Sequence, residues 1–341
     1  MRAKSILLTA LFGAAGLLAI LAPTIHAQQG GQANNAQVKV IPVRGNVFMI
    51  SGAGGNIAAS VGAEGVLLVD TGLANMSDKV LAAVNQTSIA VNTKGLPNVN
   101  VPPAKPIRFI INTHVHPDHV GGNVALAKAG KTFTGGNVAG NLSDVGDQAA
   151  IYAHENLLNR MVAMKLPTAA QPTDTYHVES MYMSHFFNGE GVQLFYAPNA
   201  HTDGDSMVFF RGSDVLATGD IFTTTMYPVV DIPNGGTING LLDALNHILD
   251  LAVPEFRSEG GTMIIPGHGR LCDIADVAYY RDMATVIRDR VQDAIKRGRT
   301  LEQTKAEKLT ADYDGRYGAT TGFWTTDAFV EAVYKSLSAK K

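Results

Sequence analysis

The chain is poor in cysteine. Cys272 is the only one among 341 residues. A single cysteine builds no internal disulfide framework, so the fold must rest on packing and on any metal it binds. Basic clusters are just as scarce. Lys and Arg number 27 against 30 Asp and Glu, giving a net charge of −3, and no run of cations is long enough to track phosphates. Nucleic-acid binding therefore has no electrostatic support. No internal repeat of fixed spacing is present, and nothing in the sequence sets an oligomeric state.

What is there is an ordinary globular composition, 46% hydrophobic and 17% charged, with enough apolar material for a large core. The N-terminus stands apart. Arg2 and Lys4 precede an uncharged stretch from Ser5 to Ile25, rich in Leu, Ala and Ile. Pro23 interrupts it, and Ile25-His26-Ala27 has the look of a cleavage site ending in a small residue. Residues 1–27 read as a signal peptide, which makes the mature protein secreted or periplasmic and free of the membrane after cleavage. The same run is long enough to span a bilayer, so an uncleaved anchor is the alternative. No Cys lies near the cut, which speaks against lipid attachment. Residues 28–37, rich in Gln, Gly and Asn, read as a flexible leader, and 38–341 as the folded remainder, ending in helices.

Apolar runs bounded by Gly, Pro and Asn predict strands at 47–50, 56–61, 66–69, 107–111, 192–196, 207–210, 215–217 and 263–265. Helices are expected from Ser77 to Val84, over 123–129, 141–164, 238–251 and 274–294, and over 327–337 with Thr326 as cap. Residues 85–106, with Pro102, Pro103 and Pro106, read as loop. Strands with helices between and after them, and polar residues at strand ends, predict a layered α/β protein with its site at the sheet edge.

The chemistry concentrates in Thr113-His114-Val115-His116-Pro117-Asp118-His119-Val120-Gly121-Gly122. Three His and one Asp fall within six residues, directly after an apolar strand. His114 and His116 share a face of an extended backbone, and Asp118 and His119 follow on the turn. Neutral imidazole suits zinc, and carboxylate adds a harder, negative ligand. A polar turn with surface histidines is the bland alternative, and so many adjacent ligand types argue against it.

His-x-His-x-Asp-His after a strand resembles the metallo-β-lactamase superfamily. Further segments resemble that family in order: Val69-Asp70-Thr71-Gly72, Ala200-His201-Thr202-Asp203-Gly204-Asp205-Ser206, Thr218-Gly219-Asp220-Ile221-Phe222 and Pro266-Gly267-His268-Gly269. The resemblance implies a four-layer αββα sandwich over most of the mature chain, with two Zn2+ per chain, or iron in their place. It implies that His114, His116 and His201 bind one metal, Asp118, His119 and His268 the other, and that Asp220 bridges both. Asp70 is expected to orient a ligand histidine through its free ring nitrogen. Among the other histidines, His154 is expected at a helix start, facing solvent or a pocket, and His177, His185 and His247 on loop or helix surfaces. Cys272 is expected as a small core residue. Thr223, Thr224, Thr225 and Tyr227 follow Asp220 and are candidates to line the pocket.

The resemblance further implies a small-molecule substrate and a hydrolase in which a hydroxide shared by two metals attacks a carbonyl carbon, oriented by Asp118. β-Lactamases of one common ligand set carry Cys in the segment where this chain has Asp220. His119 together with Asp220 looks more like the thioesterase and lactonase branches, whereas export suits a β-lactamase or another scavenging hydrolase. Amide, ester and thioester substrates all stay open, with β-lactam one of them. The alternatives are an iron-dependent sulfur oxygenase and a non-catalytic metal-binding accessory protein. The chain has no length for the flavodoxin-like domain of diiron relatives.

Overall fold

The computed structural model describes residues 37–95, 101–132, 147–254 and 260–339. The expected signal peptide and all but the last residue of the expected leader lie outside the described residues. Two sheets form the centre. The first has seven strands in chain order: β1 (Lys39–Arg44), β2 (Val47–Ser51), β3 (Ile57–Gly62), β4 (Gly65–Val69), β5 (Ile107–Ile111), β6 (Ala150–His154) and β7 (Asp174–Tyr176). The second has five: β8 (Ser180–Phe187), β9 (Glu190–Ala197), β10 (Asp205–Phe210), β11 (Val215–Ala217) and β12 (Met263–Ile265), in the order β12-β11-β10-β9-β8. β4, β5, β6 and β7 pair in parallel, as do β11 and β12.

Strand alternation divides the apolar residues into layers. In β4, Leu67 and Val69 face the second sheet and pack with Val192, Leu194, Val208 and Phe210. Val66 and Leu68 face outward and pack with Val80 and Val84 of α1 (Ser77–Thr93) and with Leu126. A strand covered on both faces shows an unbroken apolar run, and β4 is buried throughout. Two short helices follow β5, α2 (Pro117–Val120) and α3 (Asn123–Lys128), and α4 (Glu155–Ala163) follows β6. The outer face of the second sheet is covered by α5 (Ile238–Leu251) and α6 (Ile274–Lys296). Beyond α7 (Leu301–Ala306) and α8 (Asp314–Tyr317), α9 (Thr326–Ser338) packs Phe329 and Val333 into the same cluster. Helix, sheet, sheet, helix is the αββα sandwich the sequence implies.

Three expectations need correction. The helix expected over 141–164 is a strand at 150–154, and a helix only from Glu155; its first six residues lie outside the described residues. Ala-rich sequence favours helix, but Ile151 and Ala153 alternate into the core and β6 completes a parallel ladder on β5. Tertiary pairing overrides propensity here. The loop expected over 85–106 is helical as far as Thr93. Val80, Val84 and Ser88 form its buried stripe, and a serine in that stripe hides the period. The cap of α9 is Thr325, whose side chain accepts from Ala328 N, rather than Thr326. Strands β1, β7 and β8 and helices α7 and α8 had no expectation.

Candidate metal centre

The site lies where the chain leaves β4, β5, β11 and β12, together with the turn between β9 and β10. Asp70, directly after β4, holds the arrangement together. Its backbone is left-handed, with φ 66°, a conformation that Asp tolerates better than most residues. Its carboxylate accepts from Thr113 N at 2.8 Å and Thr113 Oγ1 at 2.7 Å, and from His119 Nδ1 at 2.8 Å. One buried carboxylate thus ties the end of β5 to the turn that carries His119, as expected for an orienting residue.

Hydrogen bonds outside the cluster set which nitrogen each imidazole presents. Thr113 Oγ1 spends its proton on Asp70, so His114 Nδ1–H donates to that oxygen at 3.0 Å and leaves Nε2 bare. His201 Nδ1–H donates to Val229 O at 2.7 Å. His116 Nε2–H donates to Asp231 Oδ2 at 2.7 Å. The bare nitrogens of His116 and His201 then face each other at 2.9 Å. Two lone pairs at that distance repel unless a cation sits between their axes. His114 Nε2 and Asp220 Oδ1 are buried with no hydrogen-bond partner, a costly state for polar atoms without a ligand.

All seven expected ligands come together, in two groups. Donor atoms of His114, His116, His201 and Asp220 lie within 4.8 Å of one another, and so do those of Asp118, His119 and His268. Asp220 Oδ2 is 3.8 Å from His114 Nε2, while its Oδ1 is 3.2 Å from His119 Nε2 and 3.5 Å from His268 Nε2. It therefore faces both groups. The donor set of imidazoles and carboxylates fits two divalent ions of the zinc or iron type.

The electrostatics differ between the groups. Burial pushes His114 well below the ordinary imidazole value, with His119 and His201 adding to it. Burial and the neighbouring His116 bring His201 down to about 4. Both present a neutral nitrogen. In the other group burial acts downward too, but carboxylates outweigh it. Asp220, Asp118 and Asp70 hold His119 well above its usual value, and Asp220 and Asp118 raise His268 to about 9. Burial drives the Asp118 and Asp220 carboxyls upward, yet the facing imidazoles of His119 and His268 leave both lowered. Positive charge is demanded at this point.

Several other residues fall elsewhere. Asp205 is not at the centre: it accepts from Thr202 N and Oγ1 and braces the turn that carries His201. Asp203 pairs with Arg160 at 2.6 Å. His154, expected at a surface or pocket, is 4% exposed and stacked on Tyr196, and its side chain accepts from Asn156 N at the start of α4. Cys272 is buried, and burial with Asp276 nearby pushes its thiol up to about 12, the state of an inert core thiol. Thr223 does line the recess above the centre, with Met226, Val229, Phe323 and Trp324. Tyr227 does not. It is buried against Phe329, and its hydroxyl donates toward Asp314 Oδ1 and Thr310 O. Asp231 is the functional residue that sequence reasoning missed. It lies 115 positions from His116, and only Pro233 in Asp231-Ile232-Pro233-Asn234 marks the turn it caps.

A profile of the metallo-beta-lactamase superfamily matches residues 52–268. The chain belongs to that superfamily. Similar solved structures include the DIM-1 metallo-beta-lactamase, at 15% identity and TM-score 0.51, over 73% of this chain and 97% of that one. They also include the inverting sec-alkylsulfatase Pisa1 from Pseudomonas sp., at 15% identity and TM-score 0.62, over 88% of this chain and 50% of that one. The chain thus spans about half the length of the alkylsulfatase. At such identities the likeness is one of fold. No curated protein matches the chain in sequence.

Proposed function

We propose that this protein is an exported, zinc-dependent hydrolase with two metals per chain, cleaving an amide, ester or thioester bond in a small molecule. The observation that carries the reading is the doubled ligand set. Seven side chains from four separate segments present bare nitrogens and ionised oxygens to two neighbouring points, beneath a recess open to solvent. His114, His116 and His201 would hold one ion, Asp118, His119 and His268 the other, with Asp220 between them. Two divalent ions there would supply hydroxide near neutral pH and polarise the bond to be cleaved.

The chain's own residues do the rest. Asp70 and Asp231 fix the tautomers of His119 and His116. Asp118, held ionised, accepts a hydrogen bond from the attacking water and orients it, and its lowered pKa makes it a positioner rather than a strong base. Met226, Val229, Phe323 and Trp324 wall the recess and limit bulk water around the scissile bond.

The test pairs metal content of the purified protein with hydrolysis of a chromogenic cephalosporin, a thioester, a lactone and a secondary alkyl sulfate. Two zinc per chain with chelator-sensitive turnover of a carbonyl substrate is the expected result. His116→Ala should lose metal and turnover together, and wild-type turnover in a metal-free variant would overturn the proposal. One iron without hydrolysis would favour the oxygenase reading, and two zinc without any turnover the accessory-protein reading.

A further inference from the structure

One wall of the recess over the centre comes from a part of the chain that lies past the superfamily match, which ends at residue 268. Residues 318–325 form a loop between α8 and α9. Its neck is closed by Thr326 N donating to Ala319 O at 2.8 Å and Ala319 N donating to Thr326 Oγ1 at 3.1 Å. The loop carries Phe323 and Trp324 back to the metal centre. Trp324 Nε1 donates to Pro228 O at 3.2 Å, and the next carbonyl, Val229 O, holds His201. Adjacent backbone groups therefore fix a wall residue and a ligand histidine. With its N–H spent, Trp324 offers the recess only apolar surface. Phe323, 41% exposed, forms the rim, and Met226 and Val229 complete the apolar side.

The charge around the recess is one-sided. Among the described residues, its lining includes no Lys or Arg, but it includes Asp118, Asp220 and Asp231. Asp70 stands directly behind His119. Those four carboxylates equal the charge of two divalent ions, so a loaded centre would offer an anionic substituent no net attraction. The recess has a volume of about 40 Å³, enough for a compact group, and opens to solvent at the aromatic rim.

Taking the hydrolase reading as its basis, we propose that Phe323, Trp324, Met226 and Val229 form the subsite that selects the substrate. The subsite takes a compact, uncharged apolar group beside the scissile bond, so the substrates are neutral esters, thioesters or lactones rather than carboxylate- or sulfate-bearing molecules. The apolar wall rewards each buried methylene, and an ionic group beside it would be desolvated without a partner.

Trp324 is the only tryptophan in the chain, so its emission reports the subsite directly. The metal-loaded protein is titrated with 2-hexanone and, separately, with 5-oxohexanoate, which places a carboxylate at the far end of the same chain. A saturable change in Trp324 emission is expected with the neutral ketone and not with the acid. Kinetics then compare phenyl butanoate with monophenyl succinate, its carboxylate-bearing counterpart. The neutral ester should be preferred in kcat/KM by about tenfold or more. Phe323→Ala should erase most of that preference through KM, with metal content unchanged, and Phe323→Leu should retain it. Equal or reversed preference in the wild type, or emission indifferent to 2-hexanone, would overturn the subsite and leave the hydrolase reading in place. A saturable response to 2-hexanone with no hydrolysis of any amide, ester or thioester would support the subsite and overturn the hydrolase reading instead.

Discussion

At the scale of single residues, the site depends on carboxylates that face no ligand position themselves. Asp70 and Asp231 each accept a hydrogen bond from the outward N–H of one imidazole and so leave the inward nitrogen bare. Asp231→Ala removes that anchor from His116 while the other six expected ligands keep their partners. Loss of such a partner commonly costs about 10–100-fold in metal affinity. Competition with a chromophoric chelator should therefore show one of the two ions weakened by about that factor, with the far-UV spectrum unchanged. Wild-type affinity for both ions would mean that the His116–Asp231 contact has no hold on the centre. The sequence made Asp70 legible because it ends an apolar strand beside Thr71-Gly72. Asp231 was not legible, because its only signature is a short turn and its partner lies more than a hundred residues away.

At the scale of elements, strand ends place the ligands and close backbone contacts keep them there. Gly267 follows β12 by two positions, and a β-carbon at that point would run into Asp220 Oδ1 and the Gly219 backbone. Gly219 itself sits at φ 53° against the Thr113 side chain. The two glycines let the segments bearing Asp220 and His268 approach each other. Gly267→Ala should push Asp220 off its position between the two groups. Overpacking of this kind costs about 1–3 kcal/mol, so the variant should still fold with a lowered melting temperature, and bound metal should fall below that of the wild type. Full metal content and full activity in a folded Gly267→Ala protein would refute this account of the bridging position. The elements that position ligands were also the readable ones. β4 is a continuous apolar run that stops at Asp70, β5 is apolar but for Arg108 and stops at Asn112, and β12 is a short apolar run stopped by Pro266-Gly267. β8 is a sheet edge, and its mixed Ser180-Met181-Tyr182-Met183-Ser184-His185 pattern is only partly covered. β6 reads as helix until β5 is beside it.

At the scale of the whole molecule, the C-terminal helices belong to the sandwich. One apolar cluster joins Phe195, Met207 and Leu216 of the second sheet to Leu241, Leu245, Tyr280, Ile287, Phe329 and Val333 of the covering helices. Tyr227 links this outer layer to the metal-bearing segment. Its ring stacks on Phe329 with centroids 4.8 Å apart, and its hydroxyl reaches Asp314 Oδ1 at 2.8 Å and Thr310 O at 3.1 Å. Burial, with Asp314 adding to it, pushes the phenol far above its usual pKa, so it remains a donor at any ordinary pH. A cluster shared in this way makes unfolding of the helices and of the sheets one event. Emission of Trp324, which lies in the C-terminal segment, should then follow the same thermal transition as far-UV ellipticity, which reports both sheets and helices. Tyr227→Phe removes a hydrogen bond to a carboxylate and should lower stability by about 1–3 kcal/mol, shifting both signals together. If Trp324 emission changed well below the ellipticity transition, the C-terminal segment would be a separable unit. The recess wall would then open before the sheets melt, and its link to the metal centre through Pro228 and Val229 would be a loose contact rather than part of the core.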